Sequence, residues 1–164
     1  MSGESTQFAE LLTREALLLD RGAYQEWLDL YAPDCVFWMP AWRDDGTQTQ
    51  DPDRELSLIY YRGRRNLEDR VKRIQSGLSV ASNVMPRVSH MIGNVLVEAS
   101  DGQRARIASV FTVHVHDVRT SRAHVFFGRY EHELVFVEGR WMIAGKVIRL
   151  MNDVIPTLLD IYSI

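Results

Sequence analysis

The sequence predicts an α+β domain whose helices lie across a strongly curved antiparallel sheet. Apolar residues recur at helical spacing near the start of the chain and again between residues 67 and 78. From Arg104 to Leu150 the chain is rich in Val, Ile, Phe, Tyr, Thr and Trp, which are typical of strands. This order, with helices first and long strands last, predicts that the helices cover one face of the sheet.

Three helices are predicted from the spacing of apolar residues. The first ends before Gly22, the second is ended by Pro33, and the third begins with Asn66 as an N-terminal cap and ends near Gly77. Their apolar positions are, in chain order, Phe8, Leu11, Leu12, Ala16 and Leu19, then Tyr24, Trp27, Leu28 and Tyr31, then Leu67, Val71, Ile74 and Leu78.

Two short strands and four long ones are predicted. The short strands cover residues 35–42 and 56–61, with a polar loop rich in turn-forming residues between them. After a loop at 79–86, the long strands cover residues 87–98, 104–117, 123–137 and 140–151. Turn-forming residues at 100–102, 119–122 and 138–139 separate the long strands, so these strands form a meander of antiparallel neighbours.

The strands at 104–117 and 123–137 carry apolar residues on both faces. Ile107 and Phe111 share one face, yet Val110 and Thr112 lie on the other. An antiparallel sheet with one face in water should alternate cleanly between apolar and polar residues. We therefore expect helices to cover one face and another chain to cover part of the second.

Composition predicts a single domain over residues 1–164, with 46% hydrophobic residues for a substantial core. A net charge of −3 argues against nucleic acid or an anionic membrane as a partner. No signal peptide and no apolar run of roughly 18 residues is recognisable. The single cysteine, Cys35, excludes an intrachain disulfide, and the cytoplasm is the expected compartment.

Several blocks of sequence carry a family resemblance. They are DPDRELSLIYY at 51–61, LEDRVKRI at 67–74, PRVSHMIGNV at 86–95 and NDVIPTLLDIY at 152–162. In this order they resemble the small (β) subunit of aromatic-ring-hydroxylating dioxygenases, closest to those acting on benzoate and anthranilate. The predicted element order also fits the cone shape of the NTF2-like fold, which hosts enzymes, binding modules and structural subunits.

The resemblance implies a structural subunit of a multicomponent Rieske non-haem iron dioxygenase. In that family the large (α) subunit holds the Rieske [2Fe-2S] cluster and the mononuclear Fe(II), and a reductase supplies electrons from NADH. Three large subunits typically assemble with three small ones, which implies that the small subunits associate as a trimer. The chain itself is then expected to have no catalytic, cofactor-binding or metal-binding residue.

The residues agree with that expectation for the metals. A Rieske centre needs two Cys thiolates and two His, and only Cys35 is available. His114 and His116 project from one strand face, but neither they nor the other three histidines follow the spacing of a metal-binding motif. The five histidines are His90, His114, His116, His124 and His132.

An alternative from a different class is a stand-alone NTF2-like dehydratase or isomerase. Asp34, Tyr60 and His90 would be its acid and base groups inside the cone. An open cone with those three groups converging would favour the enzyme, whereas a cone filled by side chains such as Phe111, Phe127 and Trp141 would exclude it.

Two further features of the sequence suggest contacts. The basic stretch at 62–73 is interleaved with acidic residues, which favours an ion-pair surface over a phosphate-binding strip. Trp38 and Trp42 lie in or next to a Pro-containing loop and are candidate anchors for a subunit interface.

Overall fold

A computed structural model describes residues 3–77, 84–156 and 158–164. Its three helices are α1 (Gly3–Asp20), α2 (Tyr24–Leu28) and α3 (Arg64–Gln75). Its strands are β1 (Tyr31–Pro40), β2 (Ser57–Arg62), β3 (Arg87–Ser100), β4 (Arg104–Asp117), β5 (Arg122–Val137) and β6 (Arg140–Leu150). A short 3₁₀ turn, Ile161–Ser163, lies near the end of the chain.

The six strands form one curved sheet in the order β2-β1-β6-β5-β4-β3. The predicted meander of β3 to β6 is confirmed, because each of these strands pairs antiparallel with the next. The pairing of β1 with β6 is parallel, so one strand pair of this otherwise antiparallel sheet departs from the predicted pattern. β2, α3 and the strands β3 to β5 lie between these two paired strands in the sequence.

The core lies between the helices and the inner face of the sheet. Ile107 and Phe111 point into it, as the alternation predicts, and join buried residues of all three helices in one cluster. Val110 points the other way and is 37% exposed. The sequence therefore assigned the two faces of β4 correctly.

Several predicted details were wrong. Helix α2 ends at Leu28, and Tyr31 opens β1 instead of closing the helix. Asn66 lies inside α3, where its side chain donates to the Arg62 carbonyl, and Gly63 (φ +86°) precedes the helix. Phe127, named as a possible filler of the cone, is 47% exposed on the outer face. The loop expected at 79–86 lies largely outside the described residues.

The last residues of the chain pack into the core. Ile161, Tyr162 and Ile164 belong to the buried cluster, and Asp160 caps the 3₁₀ turn by accepting from the Ile161 amide at 2.8 Å. Asp160 also accepts from the guanidinium of Arg70 on α3, with Nε at 2.9 Å. This segment therefore ties α3 to the interior of the cone.

Candidate functional site

A buried group of polar side chains lies at the centre of the cone, and we call it the interior cluster: Glu15, Trp27, Tyr31, His132 and Lys146. The Lys146 ammonium donates to both carboxylate oxygens of Glu15, at 2.8 and 3.0 Å. The Glu15 carboxylate also accepts from the Tyr31 hydroxyl at 2.6 Å and the Trp27 indole at 3.2 Å. Glu15 and Lys146 are each 1% exposed, so this is an ion pair removed from water.

The fold assembles this cluster from five elements: α1, α2, β1, β5 and β6. Glu15 lies on the apolar face of α1, between Leu12 and Leu19, and therefore points at the sheet. His132 and Lys146 are direct cross-strand partners on β5 and β6, with side chains on the inner face. The His132 Nε2 atom lies 3.6 Å from the Glu15 carboxylate, which is too long for a hydrogen bond but close enough for electrostatic attraction.

Burial and charge shift the pKa values in the cluster in defined directions. Burial alone would raise the pKa of Glu15, but Lys146 and His132 outweigh it, and the pKa falls far below its usual value. Burial lowers the pKa of His132 and of Lys146, with Glu15 opposing both shifts. Burial also raises the pKa of Tyr31, so its phenol stays protonated and donates to Glu15. At neutral pH the cluster holds an ionised Glu15–Lys146 pair beside a neutral imidazole.

These shifts predict a loss of stability in acid. The unfolded chain binds a proton at His132 near pH 6.5 and at Glu15 near pH 4.5, whereas the folded chain resists both. Stability should therefore fall as the pH drops through 6.5, by at most about 1.4 kcal/mol per pH unit for one proton, and again below 4.5. Urea denaturation of wild type and His132→Leu between pH 7.5 and 5 measures the first step. A variant whose stability falls as steeply as that of wild type would contradict it.

In and beside the interior cluster, three buried side chains carry polar atoms that have no hydrogen-bond partner within the described part of the chain. They are the Ser109 hydroxyl, the Tyr130 hydroxyl and both ring nitrogens of His132. The Tyr130 ring stacks on Phe111 with centroids 4.1 Å apart, and the Lys146 ammonium lies 4.1 Å from the same ring's centroid. The Tyr130 ring is thus fixed by packing, while its hydroxyl has no hydrogen-bond partner within the described residues.

The outer face of the sheet carries exposed apolar side chains on three adjacent strands, and we call them the outer patch: Met91, Val110, Val125 and Phe127. Met91 is 62% exposed and Phe127 47%. The register aligns Met91 and Phe127 with opposite sides of Thr112 on β4, so the patch is continuous across β3, β4 and β5. Contiguous exposed apolar surface is typical of protein contacts.

A wide groove of about 740 Å³ runs along β4, β5 and β6. Charged residues of both signs line it: Glu98, Arg106, Arg129, Glu131, Glu133, Lys146 and Arg149. Arg149 pairs with Glu131 through Nε at 2.5 Å and Nη2 at 3.2 Å. The mixture of charges fits a protein surface better than a site for a single small ion.

The structure places the three residues of the enzyme alternative in separate environments. Asp34 is exposed on β1, and the Tyr60 hydroxyl on β2 faces Asp53 at 3.4 Å. His90 lies on β3 at the opposite edge of the sheet, where its Nδ1 bonds Asp20 at 2.5 Å and its Nε2 lies 3.3 Å from the Ile164 carbonyl. Phe111 and Trp141 are buried, as a filled interior requires.

The other singled-out residues have ordinary structural surroundings. Cys35 is buried, and burial raises the pKa of its thiol to about 11, so it is a poor nucleophile at neutral pH. Trp38 is buried and donates to the Ser57 hydroxyl at 2.9 Å, so it is not free to anchor a partner. Trp42 is 38% exposed, although its indole donates to the Leu150 carbonyl at 2.9 Å.

Charged side chains of the basic stretch form ion pairs with acidic neighbours. Arg64 pairs with Glu68 at 3.3 Å and Lys72 with Asp69 at 3.7 Å on the surface of α3. His114 and His116 share the outer face of β4, as expected. The described residues contain no group of three or more His, Cys, Asp or Glu placed to hold a metal ion. No helix among them is long and apolar enough to cross a membrane.

Sequence reasoning missed the interior cluster. Two signals were present: Glu15 falls on the apolar face of α1, and Lys146 falls at an inward position of β6. A charge at a core position is costly unless it is paired, so each residue predicts a partner of opposite sign. The pairing itself could not be read from the sequence, because 131 positions separate the two residues.

Comparison with known proteins gives matches over nearly the whole chain. Residues 14–157 match the family described as "Ring hydroxylating beta subunit". The chain is 37% identical over 158 residues to the benzoate 1,2-dioxygenase subunit beta of Acinetobacter baylyi, covering 96% of this chain and 92% of that one. It is 39% identical over 151 residues to the 2-halobenzoate 1,2-dioxygenase small subunit of Burkholderia cepacia, covering 92% and 90%.

A solved structure agrees with the sequence matches. The crystal structure of the beta subunit of the benzoate 1,2-dioxygenase from Burkholderia mallei has a TM-score of 0.80 and 36% identity, covering 97% of this chain and 96% of that one. The curved sheet and the helices packed against it place the protein in the class of NTF2-like cone-shaped α+β domains. Within that class, the chain belongs to the family of ring-hydroxylating beta subunits, as its sequence blocks predict.

Proposed function

We propose that this chain is the small subunit of a benzoate-type aromatic-ring dioxygenase and that it holds the catalytic large subunits in place. The observation that carries this proposal is its similarity, over almost its full length, to small subunits of dioxygenases acting on benzoate and 2-halobenzoate. The substrate class is therefore an aromatic carboxylate. The complete enzyme takes electrons from NADH through a reductase and works in the cytoplasm.

In this proposal the metals belong to the large subunit. The whole chain has one cysteine, so it cannot supply the two thiolates of a Rieske cluster. The mononuclear Fe(II) that activates oxygen is likewise assigned to the large subunit. Residues 1–164 act as one domain with no catalytic, cofactor-binding or metal-binding residue of their own.

The two faces of the sheet support an architectural role. The inner face is covered by packed side chains such as Phe111 and Trp141 and by the interior cluster. The outer patch exposes apolar side chains that a partner can cover. A permanent interface of this kind buries more than roughly 2,000 Å². We propose an assembly of three large and three small subunits, with the small subunits in contact as a trimer.

Reconstitution tests the function directly. The chain is purified alone and together with its large subunit, and each sample receives the reductase, NADH, oxygen and benzoate. We expect the diol product only in the sample that contains the large subunit, and Asp34→Asn should leave the turnover of the assembled enzyme unchanged. Product formed by the isolated chain would refute the proposal. Equal turnover by the large subunit with and without this chain would refute it as well.

The outer patch gives a prediction about assembly. Phe127→Asp places a charge on a side chain that is 47% exposed, so the isolated subunit should fold normally. Burying that charge in an interface without a partner is costly, and we expect at least a tenfold loss of small subunit co-purifying with tagged large subunit. Pull-down followed by size-exclusion chromatography measures the loss.

Leu56→Asp is the matched control for this experiment. Leu56 is 82% exposed, precedes β2 and lies away from the outer patch, so the same change should leave assembly intact. Circular dichroism of both variants confirms that the fold is retained. If Phe127→Asp assembles as well as Leu56→Asp, the outer patch is not the contact surface, and the reconstitution result still decides the function independently.

A further inference from the structure

We propose that the interior of the cone contains a closed binding site for one small uncharged molecule, water, held between Ser109, Tyr130 and His132. The proposal rests on the fully buried polar atoms of these three side chains that lack a hydrogen-bond partner within the described residues. Buried hydroxyls and imidazoles in folded proteins are hydrogen-bonded in the large majority of cases. This inference is independent of the proposed assembly role.

Strand register brings the three side chains together. Ser109 on β4 is the direct cross-strand partner of Tyr130 on β5, and both point inward. His132 follows two residues after Tyr130 on the same face, and the two rings have centroids 5.6 Å apart in a T-shaped arrangement. The polar atoms thus come from neighbouring positions on one patch of the inner face, and the three residues that carry them are each 3% exposed or less.

The charged side chains beside the site favour a neutral occupant. Beside the site, the Glu15 carboxylate and the Lys146 ammonium already compensate each other at 2.8 Å. A third charge would have no counter-ion there and would carry the full cost of desolvation. The imidazole of His132 is itself uncharged at neutral pH, so it does not attract an anion.

The free atoms also require an occupant that both donates and accepts. The Tyr130 hydroxyl needs an acceptor, and a neutral imidazole offers one N–H donor and one acceptor. Since His132 Nε2 faces the Glu15 carboxylate, we assign the hydrogen to Nε2, which leaves Nδ1 as an acceptor. Water can accept from Tyr130 and donate to Nδ1 and to Ser109, so one molecule matches the donor and acceptor pattern of all three side chains.

Two measurements on the intact protein test the site. A high-resolution crystal structure should show a density peak within about 2.7 to 3.2 Å of both the Tyr130 hydroxyl and His132 Nδ1. Removing one partner of the bound water by Tyr130→Phe should raise the equilibrium constant for unfolding by roughly three- to tenfold in urea denaturation. Tyr60→Phe is the control, because the Tyr60 hydroxyl makes only an exposed 3.4 Å contact with Asp53, and it should change this constant little.

Two results would contradict the proposed water site. If the Tyr130 hydroxyl were simply unpaired, its removal would leave the protein as stable as wild type or more stable. That result, or a crystal structure with no density between Tyr130 and His132, overturns the proposal. Nitrogen-15 NMR of the imidazole adds a readout that packing alone does not move: we expect the neutral Nε2–H tautomer at pH 7, and an Nδ1–H tautomer counts against the site.

Discussion

Lys146→Met should destabilise the protein by about 3 to 5 kcal/mol, because it leaves the Glu15 carboxylate buried without its counter-ion. Glu15 is 1% exposed, and the Tyr31 hydroxyl and Trp27 indole that remain as donors carry no full charge. A loss of this size is a large part of the 5 to 15 kcal/mol that typically stabilises a domain. Urea denaturation at pH 7.5 measures the loss.

The double variant Glu15→Gln with Lys146→Met separates the lost charge from lost packing. A Gln side chain keeps an oxygen for Tyr31 and Trp27 but has no charge to compensate, so at least half of the lost stability should return. Lys72→Met is the matched control, since Lys72 pairs with Asp69 on the surface of α3 and should show no measurable change. A double variant as unstable as Lys146→Met would mean that packing, not charge, dominates.

The alternation of residues predicted the sheet well, because local periodicity directly fixes which face a side chain occupies. Ile107 and Phe111 on β4 were placed on one face and Val110 on the opposite face, as the structure has them. Tyr31 was misassigned because its spacing from Trp27 and Leu28 fits a helix, whereas pairing with Ile143 on β6 draws it into a strand. That pairing is parallel and distant in sequence, so no local pattern could reveal it.

The interior cluster shows where prediction from sequence stops. Apolar periodicity treats Glu15 as an interruption of a helix face, and its neighbouring cation, Arg14, is exposed and does not follow it into the core. The partner is provided by β6, after the sheet has brought Lys146 beneath α1. Phe127 was misjudged for a related reason. A bulky aromatic residue fits a core, but the alternation of side chains along β5 places Phe127 on the outer face, where it is part of the outer patch.

Gly128→Ala should be among the most damaging single substitutions in the chain. Gly128 lies on β5, and a Cβ atom built there would collide with the carbonyl oxygen of Arg149 on β6 and lie 3.1 Å from the Phe111 ring. Phe111 cannot move aside easily, because it stacks on Tyr130 with centroids 4.1 Å apart. Since the main obstacle is backbone, the two strands must separate, and we expect a loss of about 3 kcal/mol or more.

Gly93→Ala is the control for this prediction and lies in the same sheet. A Cβ atom at Gly93 would be 3.7 Å from the Val110 side chain, which is an ordinary van der Waals distance. Alanine also loses less conformational entropy on folding than glycine, so this variant should be as stable as wild type or slightly more stable. The melting temperature and soluble yield of Gly128→Ala and Gly93→Ala are compared with those of wild type. Equal melting temperatures would mean that β5 and β6 are not packed as closely at Gly128 as the structure has them.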